Sequence, residues 1–190
     1  MFKDFYGIYK DARNASWNFL IHNHITSLPV DLKSVTGSLG IKVRFDNVGI
    51  LEPNQRGLTM TDMNVTYIII NKEGSLAENR YTIMHELGHI YLGHPMINNK
   101  YARTFDLNNK YEYQAERFAI DVLAPACVLW GLGLHSAEDI AKICNISATS
   151  AQRRAERMEI LYGRNMFLSH PLERQVFNQF KDFISRNKLE

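Results

Sequence analysis

Cysteine is scarce in this chain. Cys127 and Cys144 are the only two in 190 residues, too few for the disulfide framework of a small secreted domain, and their apolar neighbours point to buried free thiols. Long apolar runs are also missing. The stretch at 67–70 has the length of a strand and falls far short of the ~20 residues that cross a membrane as a helix. The first residues carry Lys3 and Asp4 before any apolar core, which makes a poor secretory leader. Charge of one sign is lacking too: 22 basic against 20 acidic residues leave +2. That balance argues against a protein built to coat nucleic acid or an anionic membrane. No internal repeat or low-complexity tract is visible. A cytoplasmic chain with no membrane partner is expected.

Hydrophobic residues make up 45 % of the chain, enough for a real core. From Asp4 to about Ile25, Phe5, Ile8, Tyr9, Ala12, Ala15, Phe19 and Leu20 recur at helical spacing and predict a long amphipathic helix. Asp31 caps a short second helix that stops at Gly37 or Gly40. Three strands are expected next, at 41–45, 57–61 and 65–70, the last two joined by a turn at 62–64. Ser75 and Glu78 have the form of a capping box and start a helix that ends at Gly93. A further helix runs from near Asn109 to Leu123 and is stopped by Pro125. Ser136 and Ser147 open two more, and Pro171 to about Arg186 makes the last. The order gives an α+β fold, with a small, mostly antiparallel three-stranded sheet packed against a helical core. Residues 1–130 are expected to form that core, and 131–190 a helical part that packs on it without being an independent domain.

The most informative residues are His85, Glu86 and His89, a His-Glu-x-x-His inside the helix that opens at Ser75. A spacing of four sets both imidazoles one turn apart on one face, where they can share a tetrahedral cation. Glu86 is then placed to take a proton from the attacking water. The bland alternative is a pair of half-buried polar residues on an apolar helix. Ile83, Leu87, Ile90 and Tyr91 supply a core face separate from the histidines, which weighs against it. Gly88 costs about 1 kcal/mol against Ala inside a helix, so close packing beside the site is expected to offset it. A catalytic zinc site takes three protein ligands and a water, and His94, Glu112 and Glu116 are the downstream candidates for the third. Glu112 and Glu116 lie one turn apart beside the small Ala115 and Ala119. One could ligate while the other orients a histidine, and spacing alone does not choose between them.

Residues 80–89 (Arg-Tyr-Thr-Ile-Met-His-Glu-Leu-Gly-His), Leu92-Gly93-His94 and Glu112-Tyr-Gln-Ala-Glu-Arg-Phe-Ala119 with Pro125 together resemble the ImmA/IrrE family of zinc metallopeptidases. The resemblance extends to 28–32 and 39–43 and past Gln152. It implies one zinc ion per chain, held by His85, His89 and Glu112, with Glu86 catalytic. The family position four after Glu112 is commonly Asn or Asp and is Glu116 here. Glu116 and His94 are second-shell candidates. The resemblance further implies an endopeptidase that cleaves a partner helix-turn-helix repressor of a phage or mobile element and so relieves repression. His94, Tyr111 and His135 are candidate oxyanion donors. The strand at 67–71 is a candidate for pairing with an extended substrate.

A different reading takes 139–155 as a DNA-binding helix-turn-helix with Arg153, Arg154 and Arg157 on its second helix. Residues 151–190 hold eight basic and five acidic residues, a net of +3, and Glu156 and Glu159 dilute the basic face. A regulator that binds zinc or DNA without proteolytic turnover is thus the alternative, with nucleic acid the less favoured partner.

Overall fold

In the computed structural model, residues 2–97, 100–101 and 110–188 are described, without the side chains of 2–6, 8, 96, 97, 100 and 101. The expected first helix is α1 (Phe2–His22), with Trp17, Phe19 and Leu20 buried. The Asp31 carboxylate accepts the Ser34 N–H at 3.1 Å and starts α2 (Leu32–Ser38). Strands β1 (Lys42–Phe45), β2 (Gly57–Asp62) and β3 (Val65–Ile70) follow, and Met63 and Asn64, both at positive φ, turn the β2–β3 hairpin.

The α+β reading holds, and the sheet is mixed. β1 joins β3 in parallel, from Lys42 opposite Tyr67 to Phe45 opposite Ile70, instead of lying beside β2. The reason lies in Ile68, Ile69 and Ile70: all three are buried, so this strand is apolar on both faces and belongs in the middle of a sheet. Two-residue strands β4 (Met96–Ile97) and β5 (Lys100–Tyr101) extend the order to β1-β3-β2-β5-β4. With neighbours on both sides, β3 has no edge to offer a substrate, which corrects the strand-addition expectation for 67–71.

Helix α3 (Leu76–Tyr91) begins at the expected capping box. Ser75 Oγ accepts the Glu78 N–H, and the Glu78 carboxylate accepts the Ser75 N–H at 3.0 Å. Helix α4 (Lys110–Leu123) is described from Lys110; the expected start at Asn109 lies outside the described residues. Pro125 ends α4 and also serves as N-cap of α5 (Ala126–Leu132), a helix beyond the sequence expectation because the proline that stops one helix also opens the next. Then come α6 (Ala137–Cys144), α7 (Ala148–Arg164), α8 (Pro171–Gln179) and α9 (Lys181–Asn187). The last two had been expected as one helix, but the backbone breaks at Phe180 (φ −91°, ψ 4°), a buried aromatic.

Contacts divide the chain into two compact units, 1–12 with 31–119, and 13–30 with 120–190. The first holds the sheet and α3, around Ile68, Met84, Leu87, Ala115 and Phe118. The second holds α5 to α9, around Phe19, Leu123, Leu129, Leu132, Ile140 and Phe180. Both cysteines are free and buried there, as expected, and burial pushes the Cys127 thiol far above its usual range. Among the described residues no helix is long and apolar enough to cross a membrane.

The N-terminus of α3 yields a pH test. The Ser75 N–H, then the Arg56 guanidinium 2.6 Å away, hold the Glu78 carboxyl down at about 2 against an ordinary 4.5. A carboxyl lowered on folding stabilises fully above its unfolded value, and that contribution fades as pH falls through the folded one. Glu78→Gln should therefore lower the melting temperature near pH 7. The gap from wild type should shrink as pH falls from about 4.5 toward 2; a gap that stays constant over that range contradicts the capping role.

Candidate metal centre

Helix α3 presents His85, Glu86 and His89, and α4 presents Glu112 in its first turn. His85 Nε2 lies 3.1 Å from His89 Nε2 and 3.1 Å from Glu112 Oε2, and His89 Nε2 lies 3.4 Å from Glu112 Oε1. Ligand atoms of all three lie within 4.8 Å of one another, and the group could hold a metal ion. A tetrahedral cation with bonds of about 2.0–2.1 Å sets its donors about 3.3 Å apart, so the spacing fits. Two imidazole nitrogens and a carboxylate are also the donor set such an ion takes. Hydrogen bonding to His85, then to His89, holds the Glu112 carboxyl far below the usual carboxylate range. It is an anion, ready to ligate.

The two helices can meet this closely because of Gly88. A Cβ there would lie 3.1 Å from Ala115 Cα, 3.2 Å from Ala115 O and 3.1 Å from Phe118 Cδ1. The helix-weakening glycine thus has the packing reason expected of it. Tyr91 adds a ring contact to Phe118 at 5.5 Å on the same pair of helices.

Glu86 is buried and accepts a 2.7 Å hydrogen bond at Oε2 from the hydroxyl of Thr59, itself fully buried on β2. This leaves Oε1 uncommitted to Thr59. Gly57, two residues back on the same strand, keeps β2 against α3: a Cβ there would collide with Thr82 Cγ2 and lie 3.5 Å from Glu86 Oε1. The sequence reading missed Thr59. In 57–61 threonine and apolar residues alternate, and nothing local says which face turns toward α3.

His94 sits behind His89, with their Nδ1 atoms 2.9 Å apart. Burial, reinforced by His89, pushes the His94 imidazole down to about 4, with the Gln114 side chain pulling the other way. His94 is therefore neutral near pH 7. When His89 presents Nε2 to an ion, its Nδ1 carries the proton and donates it to His94. His85 Nδ1 is buried without a hydrogen-bond partner among the described residues, and Tyr81 stacks on its ring at 6.3 Å. Glu116 is exposed and stands apart from the three-residue group. Tyr111 packs on His94 at 4.7 Å, whereas His135 stacks on Tyr162 in the second unit.

The arginines of the DNA-binding alternative are only partly presented. Arg154 is buried in a 2.9 Å ion pair with Asp121, Arg157 is half-buried, and Arg153 is exposed alongside Glu156 and Glu159.

The α3–α4 contact is testable. Gly88→Ala should force the helices apart, destabilise the fold by ~1–3 kcal/mol and weaken metal binding. Gly163→Ala, on α7 with open space around it, should be neutral or stabilising. Equal melting temperatures and equal metal affinity for Gly88→Ala and wild type contradict the close-packing account.

Comparison with known proteins agrees with this geometry. Residues 37–156 match the model of peptidase family M78, described as the IrrE N-terminal-like domain. An uncharacterized immunity region protein 2 of Bacillus phage phi105 is 32 % identical over 116 residues, which cover 58 % of this chain and 66 % of the phage protein, just under two thirds of its length. The matched span contains all of α3, its two histidines and Glu86, and the Glu112 helix that completes the donor group; the chain belongs to peptidase family M78, with its IrrE N-terminal-like domain.

Proposed function

We propose that this chain is a cytoplasmic zinc endopeptidase that cleaves a helix-turn-helix repressor of a phage or mobile element and so relieves repression. The observation that carries the catalytic part is the convergence of His85, His89 and Glu112 beside a buried glutamate held by its own hydroxyl donor. The family is one of peptidases, and the phage relative is named as a protein of an immunity region, which supports a protein substrate of this kind. Buried free thiols suit a reducing compartment.

His85, His89 and Glu112 would hold the zinc. When bound, zinc lowers the pKa of a water toward about 7 and polarises a carbonyl oxygen. Glu86 takes the proton of the attacking water at Oε1 while Thr59 fixes Oε2, and Glu86 then returns that proton to the leaving amine. His94 orients His89 by accepting a hydrogen bond from its Nδ1–H.

The test is cleavage of candidate helix-turn-helix repressors by the zinc-loaded protein, followed on denaturing gels. Glu86→Gln should keep the metal and the melting temperature and lose about 10²–10⁴-fold in rate. A Glu86→Gln protein that cuts as fast as wild type removes the general-base role.

A further inference from the structure

The sheet has an edge at β1, and the residues around that edge are unusually apolar for a surface. Phe45 is 54 % exposed, Val48 81 % and Ile50 38 %, all within six residues. Surface loops are commonly more mobile than the elements they join. This one is pinned: the Asp46 carboxylate accepts the backbone N–H groups of Val48, Gly49, Ile50 and Leu51 at 2.8–3.2 Å. Val48 and Ile50 are therefore presented from a pre-ordered loop, which lowers the entropy cost of binding something there.

The backbone of β1 is poised as well. The Asp46 N–H donates to Ile70 O at 2.9 Å on β3. Strand alternation then turns the amides of Arg44 and Lys42 toward β3, and those of Val43 and Phe45 away from the sheet. Consistent with this, Val43 O is reached by the guanidinium of Arg44 at 3.0 Å, an exposed contact that an incoming strand can replace. β1 lies two strands from β2, which carries Thr59 at the metal centre.

Charge selects the occupant. Lys42 and Arg44 are exposed and share one face of β1, while Val43 and Phe45 share the other. A second copy of this chain fits poorly. Two-fold pairing centred on Val43 sets Lys42 against Arg44, and pairing centred on Arg44 sets that residue against itself, both cation on cation, while pairing centred on Phe45 sets Arg44 opposite an Asp46 carboxylate already committed to four backbone N–H groups. A strand with acidic residues at alternate positions meets the cations and leaves its apolar residues for Phe45 and Val43.

We propose that the β1 edge is a docking site for an extended segment of a partner protein that alternates acidic and apolar residues and joins the sheet as an added strand. Docking there needs neither metal nor hydrolysis, so it stands or falls separately from the proposed peptidase activity.

The test uses the full chain and two synthetic peptides, (Glu-Val)₃ and (Lys-Val)₃, with backbone amide chemical shifts and their exchange rates as the readout. The expected result is binding of (Glu-Val)₃, with slowed exchange at Val43 and Phe45, at least about tenfold tighter than (Lys-Val)₃. The double variant Lys42→Glu and Arg44→Glu should reverse that preference. Val48→Ser, exposed and outside the strand, should weaken both peptides without lowering the melting temperature. Equal binding of the two peptides, shifts that map elsewhere, no binding at all, or self-association of the wild type through this edge overturns the proposal.

Discussion

The close approach of α3 and α4 is the constraint on which the metal centre depends. Two imidazoles one turn apart on α3 fix only one edge of a coordination shell, and the third donor must come from another element. Glu112 reaches 3.1 Å from His85 and 3.4 Å from His89 only because the helix backbones touch where Gly88 faces Ala115. Any side chain at 88 would act as a spacer between the helices. The glycine's cost to helix stability and the geometry of the donor group are thus two sides of the same contact.

A second constraint acts from the sheet. Thr59 and Gly57 bring β2 against α3 at Glu86, one supplying a hydrogen bond and the other the absence of a side chain. The buried isoleucines of β3 keep that strand central, with β2 on one side and β1 on the other. One pattern of burial therefore positions Glu86 near the middle of the sheet and leaves β1 at its edge.

What the sequence made legible was local. The capping box at Ser75, the turn at Met63 and Asn64, the His-Glu-x-x-His spacing and the small residues of α4 all act within a few residues, so their meaning survives without the fold. Choosing Glu112 over Glu116 by spacing was impossible, since both lie on one helix face; the resemblance pointed to Glu112, and the geometry brings Glu112 alone of the two into the donor group. Thr59 was hidden because its role depends on which face of β2 meets α3. Arg154 read as a solvated or DNA-facing cation because its partner, Asp121, lies 33 residues away. The parallel place of β1, the start of α5 at Pro125 and the break at Phe180 are likewise set by packing across the chain.

The most direct measurement is metal content per chain by elemental analysis of the wild type, Glu112→Ala and Glu116→Ala after reconstitution with zinc. The account predicts near-stoichiometric zinc in the wild type and in Glu116→Ala, and its loss in Glu112→Ala. Zinc retained by Glu112→Ala, lost by Glu116→Ala, or absent from the wild type would contradict it.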